Sequence, residues 1–410
     1  METLKTRLTP LVKARLVVFY YFTFAGISLT LWTVHIPDVQ SRLNISSAQI
    51  GTIILMFGAG GVVTMQAVGH LIDHFGSKKS LFGAGALLGV ALILPGFADN
   101  LLTLHIAIFL LGIGISSTDI AANAHAVEVE SAYGRPIFTA FHAMWSGGGV
   151  IGAGIGGFAL AHEFPMYSTL TFCGIVLGVI SLFVSRYLLP SVSHAAELHK
   201  SLSKEEKSQL RKEQAKANRP HLKLVLILGV LGGFGAMIEG LGVDWSALFQ
   251  VTILHATKAE GAFSVMVFSG AMALVRVFAD RIVGRIGRMA VIRYGAVLSS
   301  IGIFLALTLP NKSLSLIGWL IVGIGVSAIV PQLFIYAANI GEASHSGRNM
   351  AKVFGLTYFG LLAGPAAVGF LASIVSLRAA LGIGVVLGAI IAIATLYLPN
   401  SGKVSTPVNG

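Results

Sequence analysis

The stretch Gly69-His70-Leu71-Ile72-Asp73-His74-Phe75-Gly76-Ser77-Lys78-Lys79 decides the fold of this chain. It places a glycine, an aspartate and a basic pair between two long apolar segments, and a degenerate copy follows at 276–288. Two copies of one motif predict that the second half of the chain repeats the first. In an almost wholly apolar chain, such duplication is typical of secondary transporters, in which two similar helix bundles rock about a site between them.

The composition indicates an integral membrane protein. Hydrophobic residues make up 55% of the 410 residues and charged residues only 11%, with a mean hydropathy of +0.83. Such a chain cannot cover a soluble globule of this size with polar surface. Apolar runs of about 20 residues, each long enough to cross the bilayer as a helix, occur twelve times. The predicted spans are 16–36, 49–70, 80–98, 102–126, 137–160, 166–189, 222–249, 259–280, 289–309, 314–339, 350–375 and 377–398.

The basic residues predict the orientation of these spans. If the N-terminus is cytoplasmic, 24 of the 28 Lys and Arg residues fall on cytoplasmic segments, as positive charges beside spans usually do. The net charge of +11 is then a topology signal and requires no nucleic-acid partner. We expect a multi-pass protein of a cell membrane, the inner membrane of a bacterium, with both termini in the cytoplasm.

The repeat and the polar middle of the chain predict its domains. Gly112-Ile-Gly-Ile-Ser116 recurs as Gly323-Ile-Gly-Val-Ser327, and Ala121-Ala-Asn123 recurs as Ala337-Ala-Asn339. A parallel repeat of six spans indicates an all-α fold of two six-helix bundles. The predicted divisions are a first bundle at 1–190, a cytoplasmic linker rich in Lys, Glu, Gln and Ser at 191–221, a second bundle at 222–400 and a cytoplasmic tail at 401–410.

On these features the chain resembles the major facilitator superfamily over about residues 12–400. The loop motif of that family is a glycine, three residues, an aspartate, usually an arginine, then a glycine and basic residues. The first copy matches it except at His74 and Ser77, and the second copy keeps the aspartate and arginine but has Arg276 in place of the first glycine. The resemblance implies a cytoplasmic gate whose ion pairs break when that side opens; static ion pairs at helix ends are the alternative. The implied gating residues are Gly69, Asp73, Lys78, Lys79, Glu130, Arg276, Asp280 and Arg281.

Within that family, three stretches resemble the fucose-permease and MosC-like bacterial branches. They are Asp119-Ile-Ala-Ala-Asn123, Glu239-Gly-Leu-Gly-Val-Asp244-Trp245-Ser246 and Tyr358-Phe-Gly-Leu-Leu-Ala-Gly364-Pro365.

Asp119 is the strongest candidate for a functional side chain. An ionised carboxylate inside a membrane helix is costly and tends to mark a substrate or proton route. In fucose permease a glutamate precedes Ala-Ala-Asn at the same step, so the resemblance implies that Asp119 couples transport to protons. A carboxylate that merely bonds a neighbouring helix is the alternative.

Asn123 lies one turn after Asp119 on the same face, where donor and acceptor groups suit a hydroxylated ligand. Its repeat mate Asn339 has no acid four residues before it, so a proton site would belong to the first half. Interhelical hydrogen bonding is an equally good interpretation of both amides.

Glu239 and His142 are further candidates for proton coupling. Glu239 lies among glycines, which allow a helix to unwind, and histidine exchanges protons near neutral pH. Asp244 is a candidate for substrate binding. Trp245 beside it is interpreted as a member of the aromatic belt at the outer membrane surface.

Trp32 and Trp145 are candidates for stacking on a sugar or an aromatic compound. Single tryptophans within spans are more often packing residues, and that alternative stays open.

The sequence therefore predicts a secondary active transporter that moves a small polar organic solute, sugar- or polyol-like, by alternating access coupled to protons. A proton-driven exporter of drugs or metabolites is the alternative, and a membrane sensor without transport is a minor one. The sequence holds neither HExxH nor a P-loop, so an enzyme is not expected. No cofactor and no partner beyond solute, protons and lipid are expected, and the protein is predicted to act as a monomer.

Overall fold

The computed structural model describes residues 9–134, 137–190, 221–338, 340 and 346–399. The predicted linker, except for its last residue, lies outside this part of the chain. The predicted tail and Asn339 lie outside it as well.

Twelve helical segments of the described residues are long and apolar enough to cross a membrane, which confirms the predicted all-α fold. The α-helices are α1 Pro10–Thr33, α2 Ile36–Leu43, α3 Ser47–Phe75, α4 Ser77–Ile93, α5 Leu101–Tyr133, α6 Phe138–Ala161, α7 Met166–Val184, α8 Leu222–Gly240, α9 Ser246–Ile253, α10 Lys258–Ile286, α11 Arg288–Thr308, α12 Lys312–Val326, α13 Ile329–Ala338, α14 Ser346–Ile374, α15 Leu377–Leu381 and α16 Ile383–Ala394. Short 3-10 turns cover Leu94–Phe97 and Ser185–Tyr187.

The chain forms two compact units. The first comprises Met1–His35 and Met56–Ala196, and the second comprises Ile36–Leu55 and Glu197–Gly410. Residues 36–55 belong to the first half by sequence, yet they pack in the second unit because Gly51 lies directly against the backbone of α14.

In the first unit, α6 lies close against α1. A Cβ on Gly148 would overlap the backbone carbonyl of Thr23, and the Thr30 hydroxyl donates to the Gly149 carbonyl at 2.9 Å. Van der Waals contact of this kind drives helix association in lipid, where small residues let backbones approach. The contact holds the α6 face that carries His142 against α1.

Three described spans of the second unit are interrupted, one of them at Gly382 between α15 and α16. A π-helical turn, Leu241–Trp245, separates α8 from α9, and a turn at Ser327 and Ala328 separates α12 from α13. π-helical turns inside α-helices are frequent at functional sites because they re-aim side chains and free backbone groups. Glu239 lies just before the first interruption, and Ser327 lies in the second.

Candidate functional site

The first unit brings together three of the predicted residues, Asp119 and Asn123 of α5 and His142 of α6. The Asn123 side-chain amide donates to Asp119 Oδ1 at 2.7 Å and to the Asp119 backbone carbonyl at 2.8 Å. The His142 Nε2 lies 3.2 Å from Asn123 Oδ1. All three side chains are half-buried. They form a continuous hydrogen-bonded chain from an acid through an amide to an imidazole.

The directions of these hydrogen bonds follow from the carboxylate. An ionised carboxylate only accepts, so it fixes the Asn123 NH₂ group toward Asp119 and the Asn123 Oδ1 toward His142. His142 therefore donates from Nε2. The assignment of oxygen and nitrogen in this amide rests on the network itself.

Aromatic rings surround the imidazole of His142. The Phe22 ring of α1 lies 5.1 Å from it, near edge-on, and the Phe138 ring lies 5.3 Å away. Phe138 precedes His142 by four residues, so helical spacing would have identified it; the sequence holds no signal for Phe22. Trp145 is half-buried and packs against the apolar cluster of the first unit that contains Phe22. Trp32 is 2% exposed and lies in the core.

The second unit pairs Glu239 of α8 with Arg276 of α10. The Arg276 Nη2 lies 3.2 Å and 3.3 Å from the two oxygens of the Glu239 carboxylate, and Nε donates to the Ser327 carbonyl at 3.1 Å. Only 12% of the arginine side chain and 24% of the glutamate side chain are exposed. The pair is thus largely enclosed, and it joins two of the interrupted spans, those that contain α8 and α12.

Arg276 was predicted at the cytoplasmic gate, but the structure places it about three turns before the end of α10 at Ile286. It lies on the helix face of Met272 and Ala279, which are 3% and 5% exposed, whereas Leu274 is 63% exposed. The gating role of Arg276 remains a prediction, and its described contacts are those of an ion pair inside the unit.

The interpretation of Trp245 as a membrane-surface residue is wrong. Trp245 is 0% exposed and lies in the core of the second unit, at the end of the π-helical turn. Asp244 lies on the same turn and is half-buried.

Two of the predicted gating residues bind backbone groups. The Lys78 ammonium donates to the carbonyls of Arg186 and Leu188 at 3.3 Å and 3.0 Å, at the end of the sixth span. The Glu130 carboxylate accepts from the N–H groups of Ile137 and Phe138 at 2.7 Å and 2.6 Å. It therefore caps the N-terminus of α6, where a negative charge is favoured.

The remaining gating residues have fewer described contacts. A Cβ at Gly69 would meet no described atom within 4 Å, and Lys79 is exposed. The Arg281 guanidinium lies 5.9 Å from the Phe278 ring centre. The side chains of Asp73 and Asp280 lie outside the described part of the structure.

A buried cluster at the start of α4 was not predicted. The Ser77 hydroxyl donates to Glu128 Oε2 at 2.9 Å and lies 2.8 Å from His125 Nδ1, while His125 Nε2 accepts from the Leu189 N–H at 3.2 Å. Because Nε2 accepts, the imidazole is neutral and carries its proton on Nδ1. The signal was Ser77 itself, which departs from the basic residues of the family motif.

The chain belongs to the Major Facilitator Superfamily, whose sequence profile matches residues 16–351 and, in a second match, 245–410. It is thus a secondary transporter and not an enzyme.

Curated relatives cover nearly the whole chain. An uncharacterized MFS-type transporter of Yersinia pestis is 31% identical over 88% of this chain and 89% of its own length. The membrane protein MosC of Rhizobium meliloti is 28% identical over 93% of this chain and 89% of its own length, which confirms the predicted likeness to MosC. Multidrug resistance protein 1 of Bacillus subtilis is 23% identical over 86% and 87%.

Solved structures show the same fold. A D-xylose-proton symporter is 14% identical and matches with a TM-score of 0.77, covering 96% of this chain and 99% of its own. The nucleoside transporter NupG is 12% identical and matches with a TM-score of 0.70 over 95% of this chain and 98% of its own.

Proposed function

We propose that this protein moves a small hydroxylated solute, sugar- or polyol-like, by alternating access, and that a proton on Asp119 drives the transport. The observation that carries the proposal is the hydrogen-bonded chain Asp119–Asn123–His142. The resemblance of Asp119-Ile-Ala-Ala-Asn123 to fucose permease supports the same role.

The hydrogen bonds of this network define one arrangement of the Asn123 amide. With Asp119 ionised, the amide nitrogen faces Asp119 and the amide oxygen accepts from His142. The same nitrogen donates to the Asp119 backbone carbonyl, which holds the amide in this orientation. A proton on Asp119 turns one carboxylate oxygen from an acceptor into a donor and therefore changes the groups that the network offers to a solute.

The same network suits hydroxyl groups. It offers a carboxylate, an amide and an imidazole on half-buried side chains, and a hydroxyl both donates and accepts. The rings of Phe22 and Phe138 supply apolar surface beside it. Small-molecule sites combine a few placed polar groups with apolar walls in this way.

The proposed setting is the inner membrane of a bacterium, with both termini in the cytoplasm and the monomer as the transporting unit. The charge distribution of the sequence supports this orientation. The predicted cytoplasmic gate, which includes Asp73 and Asp280, would bias the two conformations by a few kcal/mol.

The decisive experiment follows internal pH in proteoliposomes as sugars, polyols and drugs are added. We expect one class of solute to drive protons in the direction of its own movement, and Asp119→Asn to abolish this proton flux. Asp99→Asn is the matched control, because the exposed Asp99 carboxylate accepts only from the side chains of Asn100 and Thr103 among its described contacts, at the start of α5. Proton flux that survives Asp119→Asn would refute the assignment, and saturable binding without flux would indicate a sensor.

Export of drugs or metabolites is the second candidate function. The likeness to multidrug resistance protein 1 of Bacillus subtilis favours it. In the same experiment, an exporter moves solute and protons in opposite directions.

A further inference from the structure

We infer that Arg276 is a binding site for an oxyanion group of the solute, a carboxylate, sulfonate or phosphate, and that Glu239 holds this arginine until the solute replaces it. The inference rests on the proposed function and deepens it, because the solute class becomes a hydroxylated organic anion.

The position of the pair favours a binding site. Arg276 donates to the Ser327 carbonyl in the break between α12 and α13, and Glu239 lies immediately before the π-helical turn. Discontinuous helices in transporters place binding groups inside the membrane, and irregular backbone at that depth lines a cavity or is enclosed in protein. Glu239 and Arg276 retain 24% and 12% exposure, so the pair is not sealed.

The described contacts between Arg276 and Glu239 are not the strongest that a guanidinium can make with a carboxylate. Both described contacts to the carboxylate come from a single nitrogen, Nη2, at 3.2 Å and 3.3 Å. A guanidinium binds an oxyanion best through two parallel N–H groups at about 2.7–2.9 Å. An incoming oxyanion that reached that geometry would compete with Glu239 for Arg276.

The chemistry of the two partners favours an anion over a cation. Arginine stays protonated, whereas a carboxylate can be neutralised by a proton. Inside a membrane, Glu239 can thus separate from Arg276 at low cost only if the Glu239 carboxylate is protonated. The Arg276 guanidinium then needs another negative partner. A cationic solute would instead leave two positive charges side by side.

The exchange balances in charge and protons. As the solute anion replaces Glu239 on Arg276, the carboxylate takes one proton from water. When the solute leaves, that proton returns to water and the ion pair forms again. Each monoanion bound at this site is therefore accompanied by one proton.

The test uses matched solutes that differ only in the anionic group, with D-gluconate against D-glucitol as the first pair and a sugar phosphate and a sugar sulfonate as further arms. Binding is measured by calorimetry on the purified full chain, and uptake is measured in proteoliposomes. We expect the wild type to bind at least one anion about tenfold or more tightly than its neutral partner. Arg276→Gln should remove this preference, and Arg276→Lys should restore part of it.

The double variant Arg276→Gln, Glu239→Gln separates binding from folding, because it removes both charges and leaves no unpaired one. We expect it to fold, as checked by its thermal midpoint, and to lose the anion preference. Arg288→Gln is the matched control: this arginine donates to Gln332 in the same unit, and its loss should leave the preference unchanged.

Three results would overturn the inference: equal binding of anion and neutral partner by the wild type, a preference that survives in the double variant, or its loss in Arg288→Gln. A neutral polyol that drives protons through Asp119 without any anion preference would leave the proposed function standing and refute the anion site. Loss of the anion preference in the double variant, together with proton flux that survives Asp119→Asn, would support the anion site and refute the proposed role of Asp119.

Discussion

His125→Ala should be among the most damaging single changes in the first unit. The imidazole is 0% exposed, it accepts the Leu189 N–H, and its Nδ1 lies beside Ser77 and Glu128. The cluster joins the first turn of α4 to α5 and to the backbone after α7. The substitution removes these contacts together and leaves an N–H group without its acceptor.

The magnitude follows from two terms. Removing a fully buried side chain of this size leaves a cavity, and the partly buried Leu189 N–H that loses its acceptor adds a cost toward the lower end of about 1–3 kcal/mol. Together they predict a loss of about 3–5 kcal/mol of unfolding free energy. Ser77→Ala should cost only about 1 kcal/mol, because His125 Nδ1 retains Glu128 Oε2 at 3.2 Å and single interhelical hydrogen bonds in membrane proteins are worth about that much.

The assay is reversible unfolding in mixed micelles with increasing SDS. His105→Ala is the matched control: it removes the same side chain from the same helix, but His105 is half-buried and bonds the Leu101 carbonyl within α5. It should cost less than about 1 kcal/mol. A coupling of about 1 kcal/mol is expected between Ser77→Ala and His125→Ala. Equal losses in His125→Ala and His105→Ala, or strict additivity with Ser77→Ala, would refute the reasoning.

Three further predictions concern stability. Glu130→Ala should lower the unfolding free energy by about 1–2 kcal/mol, because two N–H groups that begin α6 lose their acceptor. Glu130→Gln should lower it by less than half of that amount, and SDS unfolding of both variants measures the difference. Thr357→Val should raise the thermal midpoint, since this hydroxyl is buried with no hydrogen-bond partner among the described residues and valine keeps its shape; a lower midpoint would contradict this. Asp38→Asn removes the ion pair with Lys258, whose side chain is 42% exposed, and should cost below about 1 kcal/mol. This loss of unfolding free energy should vanish at 1 M salt. A loss that persists there would show that Asp38 contributes more than its charge.

The sequence by itself determined the number of spans and the class of protein. Bilayer thickness requires about 20 apolar residues for each crossing helix, so the twelve spans can be read from the chain. The step of four residues also placed Asp119 and Asn123 on one face of α5, because local helix geometry alone fixes that relation.

The tertiary structure decided which side chains of different helices meet. His142 joins Asn123 and Arg276 meets Glu239 because glycine contacts and helix breaks set the rotation and depth of each span. Trp245 was assigned to the membrane surface from its position along the span, but its side chain lies in the core, at the end of a π-helical turn. Hydropathy carries no information on rotation or on local changes in helical pitch. Partners across helices therefore depend on packing, whereas the spans depend on composition.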